Sequence, residues 1–148
     1  MADTPFERER DGYLVSTDPA RIDVDAVHAF LAGTYWAANV PRAVVERSLR
    51  HSLCFGLYHA GAQVGFARVI SDHATYAYLA DVYVLEAHRG RRLGHFIVET
   101  VMAHPELQGL RRWSLVTRDA HPLYRDFGFQ DVADATRYME IVHRDAYR

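Results

Sequence analysis

Residues 81–103 read DVYVLEAHRGRRLGHFIVETVMA. Val82, Tyr83, Val84 and Leu85 form a short β-branched and aromatic run, the composition of a strand. Leu93, Phe96, Ile97, Thr100 and Val101 follow at the i, i+3, i+4, i+7, i+8 spacing of one buried helical face. Between strand and helix lies the basic junction Arg89, Gly90, Arg91, Arg92, Leu93, Gly94, His95. A helix start offers unpaired N–H groups and about half a positive charge. Gly90 and Gly94 carry no Cβ, so a ligand can come close to the backbone. Gly94 lies inside the helical pattern, where glycine costs about 1 kcal/mol relative to alanine. The residues read as an anion cradle, against the plainer reading of a helix start with solvated arginines.

Reading outward, the 148 residues suffice for one domain spanning 1–148, closed around a single core. A hydrophobic fraction of 49% and a charged fraction of 24% exclude a disordered chain. The net charge of −2 argues against nucleic acid or an anionic membrane as a partner. Cys54 is the single cysteine, which excludes an internal disulfide and suits a reducing compartment. No apolar run reaches the roughly 18 residues that span a membrane, and the first residues lack an apolar signal core. A cytoplasmic location is expected. Nine histidines raise the question of a metal, but no His-Glu-x-x-His helix or paired Cys/His spacing occurs, so none is expected.

In chain order, residues 1–11 read as a flexible polar start. A first strand is expected at 13–16. Asp23 is placed to cap a helix burying Val24, Val27, Phe30 and Leu31, and Pro41 to open a second carrying Val44, Val45 and Leu49. Strands follow at 52–58, 63–70 and 75–85, joined by short turns and therefore antiparallel. After the helix of the opening stretch comes a strand at 113–117, parallel to 75–85 because a crossover links them. A short helix is expected over 120–127, then strands at 129–132 and 138–142. The order is β-α-α-β-β-β-α-β-α-β-β.

The junction resembles the acyl-CoA loop of the GNAT N-acetyltransferases, which reads Arg or Gln, two variable residues, Gly, one variable residue, Gly or Ala. Arg89 takes the first place and Gly94 the last. Arg92 stands where the family has its middle glycine, so the loop is either reshaped there or holds its ligand differently. A second stretch, HPLYRDFGF at 121–129, is similar to the family's segment in which a tyrosine before Gly-Phe lies beside the coenzyme's sulfur. From the residues alone, Tyr124 reads first as a boundary tyrosine with a wet hydroxyl. The two motifs and the element order cover nearly the whole chain. The resemblance implies the GNAT fold, an α/β (α+β) arrangement with a mostly antiparallel mixed sheet and helices on both faces.

It also implies acetyl transfer from acetyl-CoA to an amine by direct attack in a ternary complex, with no metal. Cofactor contacts then fall on Val82, Tyr83, Val84, Arg89, Gly90, Arg91, Arg92, Leu93, Gly94, His95 and Tyr124. Backbone amides of 82–84 are candidates for the oxyanion and Tyr124 for the acid that protonates the departing thiolate. Asp81 is the first candidate for the base, with a purely structural role equally open; Glu86 and His121 are others. For the acceptor, Tyr35, Trp36, Arg68, Asp72 and Tyr78 are candidates by position, aromatics and a carboxylate for an ammonium and Arg68 for a carboxylate. The acceptor is expected to be a small or amino-acid-like amine. A protein N-terminus or lysine, or a non-catalytic acyl-CoA-binding module, are the alternatives. A homodimer is compatible with all of these.

Overall fold

In the computed structural model, residues 4–147 are described. The chain runs β1 (Glu7–Arg10), β2 (Tyr13–Ser16), α1 (Val24–Leu31), α2 (Arg42–Arg50), β3 (Leu53–His59), β4 (Ala62–Ser71), β5 (Tyr76–Val84), α3 (Leu93–Ala103), β6 (Arg112–Ser114) and α4 (His121–Arg125). The six strands form one sheet in the order β1-β2-β3-β4-β5-β6, antiparallel except for the parallel pair β5 and β6.

Alternation along β3 assigns the two faces. Phe55 and Leu57 join α3's Leu93, Phe96, Ile97 and Val101 on one side. Cys54, with Phe66 and Tyr83 of the neighbouring strands, joins Val27 and Leu31 of α1 and Val45 of α2 on the other. Each such side chain contributes about 1.5–3 kcal/mol when fully buried. Thr100 fits the buried face of α3 because its hydroxyl donates to the Phe96 carbonyl at 2.8 Å. Asp23 caps α1, its Oδ1 accepting from the Ala26 amide at 3.0 Å. Pro41 stands at the N-cap of α2, one place before the first turn.

Several expectations are corrected. The start is not flexible from Glu7 onward: Glu7–Arg10 pairs with Tyr13–Ser16 through a turn at Asp11 and Gly12, with φ of 54° and 83°. Positive φ at both central residues is what a tight two-residue hairpin demands. Arg10 of β1 reaches α3, 2.6 Å from Glu99 and with its guanidinium 4.7 Å from the centroid of the Phe96 ring. Residues 1–3 of the expected flexible start lie outside the described part.

The strand expected at 113–117 is confined to Arg112–Ser114, and the helix expected over 120–127 to His121–Arg125. The strands expected at 129–132 and 138–142 do not form; among the described residues the one regular turn there is Ala135–Arg137, a 3-10 helix. Their residue types suit a ladder, but among the described residues β6 has a strand, β5, on one edge only, and neither segment pairs with the other edge.

Candidate active site

β5 and β6 pair only at Tyr76, Ala77 and Tyr78, opposite Arg112, Trp113 and Ser114. Beyond Tyr78 the two chains part. Leu79, Ala80, Asp81 and Val82 then face Leu115, Val116 and Thr117 across a cleft of about 230 Å³, which Tyr35, Trp36 and Tyr124 also line.

On its other edge β5 stays laddered to β4, with an irregularity between Phe66 and Arg68. Tyr83 pairs with Phe66 and Ala80 with Arg68, so β5 holds one residue more than β4 over this interval. That is a bulge, and bulges re-aim side chains. Asp81 sits in it with φ of 56°, a left-handed conformation that aspartate tolerates better than most residues. Its Oδ1 accepts from Trp36 Nε1 at 2.9 Å and its Oδ2 from Arg68 Nε at 2.8 Å. A further Arg68 N–H donates to the Ser52 hydroxyl at 3.2 Å. Arg68 is thus committed to Asp81 and Ser52. From the opposite wall the Arg118 guanidinium lies 3.9 Å from the centroid of the Tyr35 ring, and Tyr35 packs edge-on against Trp36 at 5.2 Å. The connection between α1 and α2 therefore bridges the cleft.

Tyr124, on α4, is 9% exposed and borders both this cleft and a larger groove. Burial first, and the nearby Tyr35 phenol second, push its hydroxyl up to about 12. A phenol in that condition is protonated at every physiological pH.

The junction after β5 makes a turn over Glu86–His88, and the Arg89 Nε donates to the Val84 carbonyl at 3.0 Å. Gly90 has φ of 83° and nothing within 4 Å of where a Cβ would stand. Arg92, at the expected middle-glycine position, is itself left-handed (φ 59°, ψ 30°), and its carbonyl accepts the Phe96 amide at 3.0 Å. The loop therefore keeps a glycine-like turn with an arginine in it, at about 1–2 kcal/mol of backbone strain. No side chain caps α3. A Cβ at Gly94 would meet only Leu123 Cδ2 at 3.7 Å, an ordinary contact, so the fold itself does not require glycine there. His95 turns away to α4, its Nε2 3.3 Å from Asp126 and its ring 4.5 Å from that of Phe127.

The structure thus brings together Tyr35, Trp36, Asp81, Val82 and Tyr124, with Arg68 behind Asp81. Tyr83 sends its ring to the opposite face, stacked 3.8 Å from Phe30, so only its backbone borders the parting strands. Asp72 is not brought to the cleft. Its carboxylate accepts from the Ala74, Thr75 and Tyr76 amides and the Thr75 hydroxyl, fixing the β4–β5 turn, and those bonds hold it well below the usual carboxylate range. Tyr78 stands where β5 and β6 still ladder, opposite Ser114, and outside the cleft lining. His121 lines the larger groove instead. Sequence reasoning missed the cleft's far wall, Leu115 to Thr117 and Asp119, because those residues read as strand or surface.

A mixed sheet parting after a crossover, with an uncapped helix start beside the gap, defines the class of the acyl-CoA acyltransferases. The chain belongs to the GNAT acetyltransferases: the model for an acetyltransferase (GNAT) domain matches residues 50–131. A Gibberella zeae protein, assigned provisionally by its name to the acetyltransferases, is 36% identical over 86% of this chain and 84% of its own. A crystal structure from Xanthomonas campestris, of a protein assigned to the GNAT family, superposes with a TM-score of 0.90. It is 48% identical and the match covers 94% of this chain and 99% of that one. A GNAT acetyltransferase from Elizabethkingia anophelis, crystallised with acetyl-CoA bound, shares the fold at a TM-score of 0.63 and 11% identity, over 82% and 78% of the two chains. No helix among the described residues is long and apolar enough to cross a membrane.

Proposed function

We propose that this chain, acting as a single domain, transfers the acetyl group of acetyl-CoA to the amine of a small acceptor by direct attack in a ternary complex. The observation that carries the reading is the cleft itself, with Tyr124 on one wall, Asp81 on the other and an uncapped helix start beside it. The amides of Leu93, Gly94 and His95 receive the diphosphate, and the open space at Gly90 and Gly94 lets it reach them. Arg91 and Arg92 supply charge at the same place. Acetyl-CoA supplies the activated thioester carbonyl.

Backbone N–H groups of residues 82–84 on the unladdered edge of β5 donate to the oxygen that becomes negative on attack. Tyr124 gives its proton to the departing sulfur. The burial that raises the phenol raises a thiol at the same spot too, so the two stay matched despite the displacement. Asp81, held on both oxygens by Trp36 and Arg68, draws the ammonium between the aromatic rings and takes its proton, directly or through one water. With Arg68 already committed, the cleft favours an amine without a carboxylate over an amino acid. The buried single thiol suits a cytoplasmic setting.

Calorimetry with coenzyme A, followed by thiol release over a panel of amines with and without carboxylates, tests this. Micromolar binding and turnover on carboxylate-free amines are expected. Binding without turnover on any amine would make the chain an acyl-CoA-binding module instead.

A further inference from the structure

The cleft beside β5 is lined by groups of one electrical character. Two carboxylates, Asp81 and Asp119, and three aromatic rings, Tyr35, Trp36 and Tyr124, line it. Among the described residues, no arginine, lysine or histidine does so. Carboxylates and the faces of aromatic rings both attract cations. A single ammonium at Asp81 and Trp36 uses only part of this set. Asp119 and Tyr35 are left over.

The two carboxylates are in different conditions. The Asp81 side chain is 9% exposed, with both oxygens taken by Trp36 and Arg68. The Asp119 side chain is 72% exposed and meets the Arg118 guanidinium only at 3.7 Å, beyond hydrogen-bond distance. The same guanidinium lies over the Tyr35 ring, 3.9 Å from its centroid. The chain has therefore seated a cation of its own between an aromatic face and a carboxylate at the cleft's edge. An exposed ion pair and a cation–π contact open to water hold it weakly. The Arg118 side chain, 65% exposed, can leave by rotating into solvent.

We propose that Tyr35 and Asp119 form a second cation subsite, occupied by Arg118 until the acceptor arrives, and that the acceptor is an amine with a further ammonium or guanidinium group, a diamine in its simplest form. In acetyl transfer as proposed above, on which this assignment rests, the reacting ammonium goes to Asp81 and the second cation replaces Arg118 on the Tyr35 face. Trp36 joins the two places: its indole N–H donates to Asp81, and its ring stands edge-on to Tyr35 at 5.2 Å. The link between the acceptor's two cations makes the second contact intramolecular, which lets it displace a side chain already in place. An anionic group in the same position would face Asp119 directly.

The test is calorimetry on the full chain, with and without coenzyme A, using n-alkylamines, α,ω-diamines and ω-amino acids of matched chain length. The best diamine should bind about 10-fold more tightly than the monoamine of its length, and the amino acid more weakly than either. Asp119→Asn should bring the diamine-to-monoamine ratio towards parity, whereas Arg118→Ala, which removes the competitor, should raise it about 3-fold. Both side chains are exposed and lie outside helix and strand, so the variants put little of the fold at risk. Equal binding of diamines and monoamines at every length overturns the subsite, as does a ratio that Asp119→Asn leaves unmoved or Arg118→Ala lowers. Amino acids binding more tightly than monoamines, with the advantage lost in Arg118→Ala, would make Arg118 an anion receptor and overturn it too. Thiol release over the same series reads the acetyl transfer separately: no turnover on any amine, with the binding order kept, sinks the transferase reading and supports the subsite.

Discussion

The two edges of β5 behave differently. Toward β4 the strand is laddered from Gly65 opposite Val84 to Ser71 opposite Ala77, accommodating an extra residue without losing its partner. Toward β6 it is laddered for three residues and then abandoned. The closed edge carries fully buried Phe66 and Val69, whereas the open edge faces a cleft lined by aliphatic side chains together with Tyr35, Trp36, Asp81, Asp119 and Tyr124. One strand therefore serves as scaffold on one side and as reacting surface on the other. Substitutions on the two edges should separate stability from turnover.

The largest expected effect breaks the closed edge. Phe66→Ala empties a fully buried site and should cost about 3–5 kcal/mol in urea unfolding, taking activity with it only as the folded fraction falls. On the open edge, Tyr124→Phe should leave unfolding and coenzyme affinity nearly unchanged while lowering kcat about 100-fold. Equal losses in binding and turnover would remove the acid role. Trp36→Phe deletes the indole N–H that fixes Asp81. It should raise the acceptor KM about 5-fold, as expected for a hydrogen bond of about 1 kcal/mol, with little change in coenzyme KM.

Arg92→Gly relieves the left-handed arginine and should raise stability by about 0.5–1 kcal/mol. It should weaken coenzyme binding nonetheless if the guanidinium meets phosphate; tighter binding would show that the strain, not the charge, matters there.

The smallest effect is one of pH. Burial raises the hydroxyls of Tyr58 and Tyr124 to about 12, from 10 in the unfolded chain. The folded state thus keeps protons that the unfolded state loses. Their contribution is complete below pH 10 and is lost as pH rises from 10 through 12. Urea midpoints should be flat between about pH 7 and 9 on this account and fall above about pH 10, and Tyr124→Phe should make the fall shallower.

Much of this is legible in the chain because periodicity reports burial. The spacing of Leu93, Phe96, Ile97 and Val101 defines α3, and Asp23 marks the start of α1. The charged residues of β1 give no alternation, since their strand lies at the sheet's edge; the Asp11–Gly12 pair is the signal that could have revealed the hairpin. The Asp81 bulge leaves no trace in local composition, because it arises from the mismatch of two distant strands. Asp72 has the residue type of a pocket and the role of a turn, its carboxylate saturated by amides two to four positions on. Residues 129–132 and 138–142 have the composition of strands, but composition cannot supply a neighbour.

Cys54 bears on how the reaction can be watched. Its thiol is buried and pushed up to about 12, chiefly by desolvation. Only the thiolate reacts readily with electrophilic dyes, so the folded protein is silent toward them at neutral pH. A chromogenic thiol reagent added during turnover will register the liberated coenzyme alone, without a blank from the enzyme.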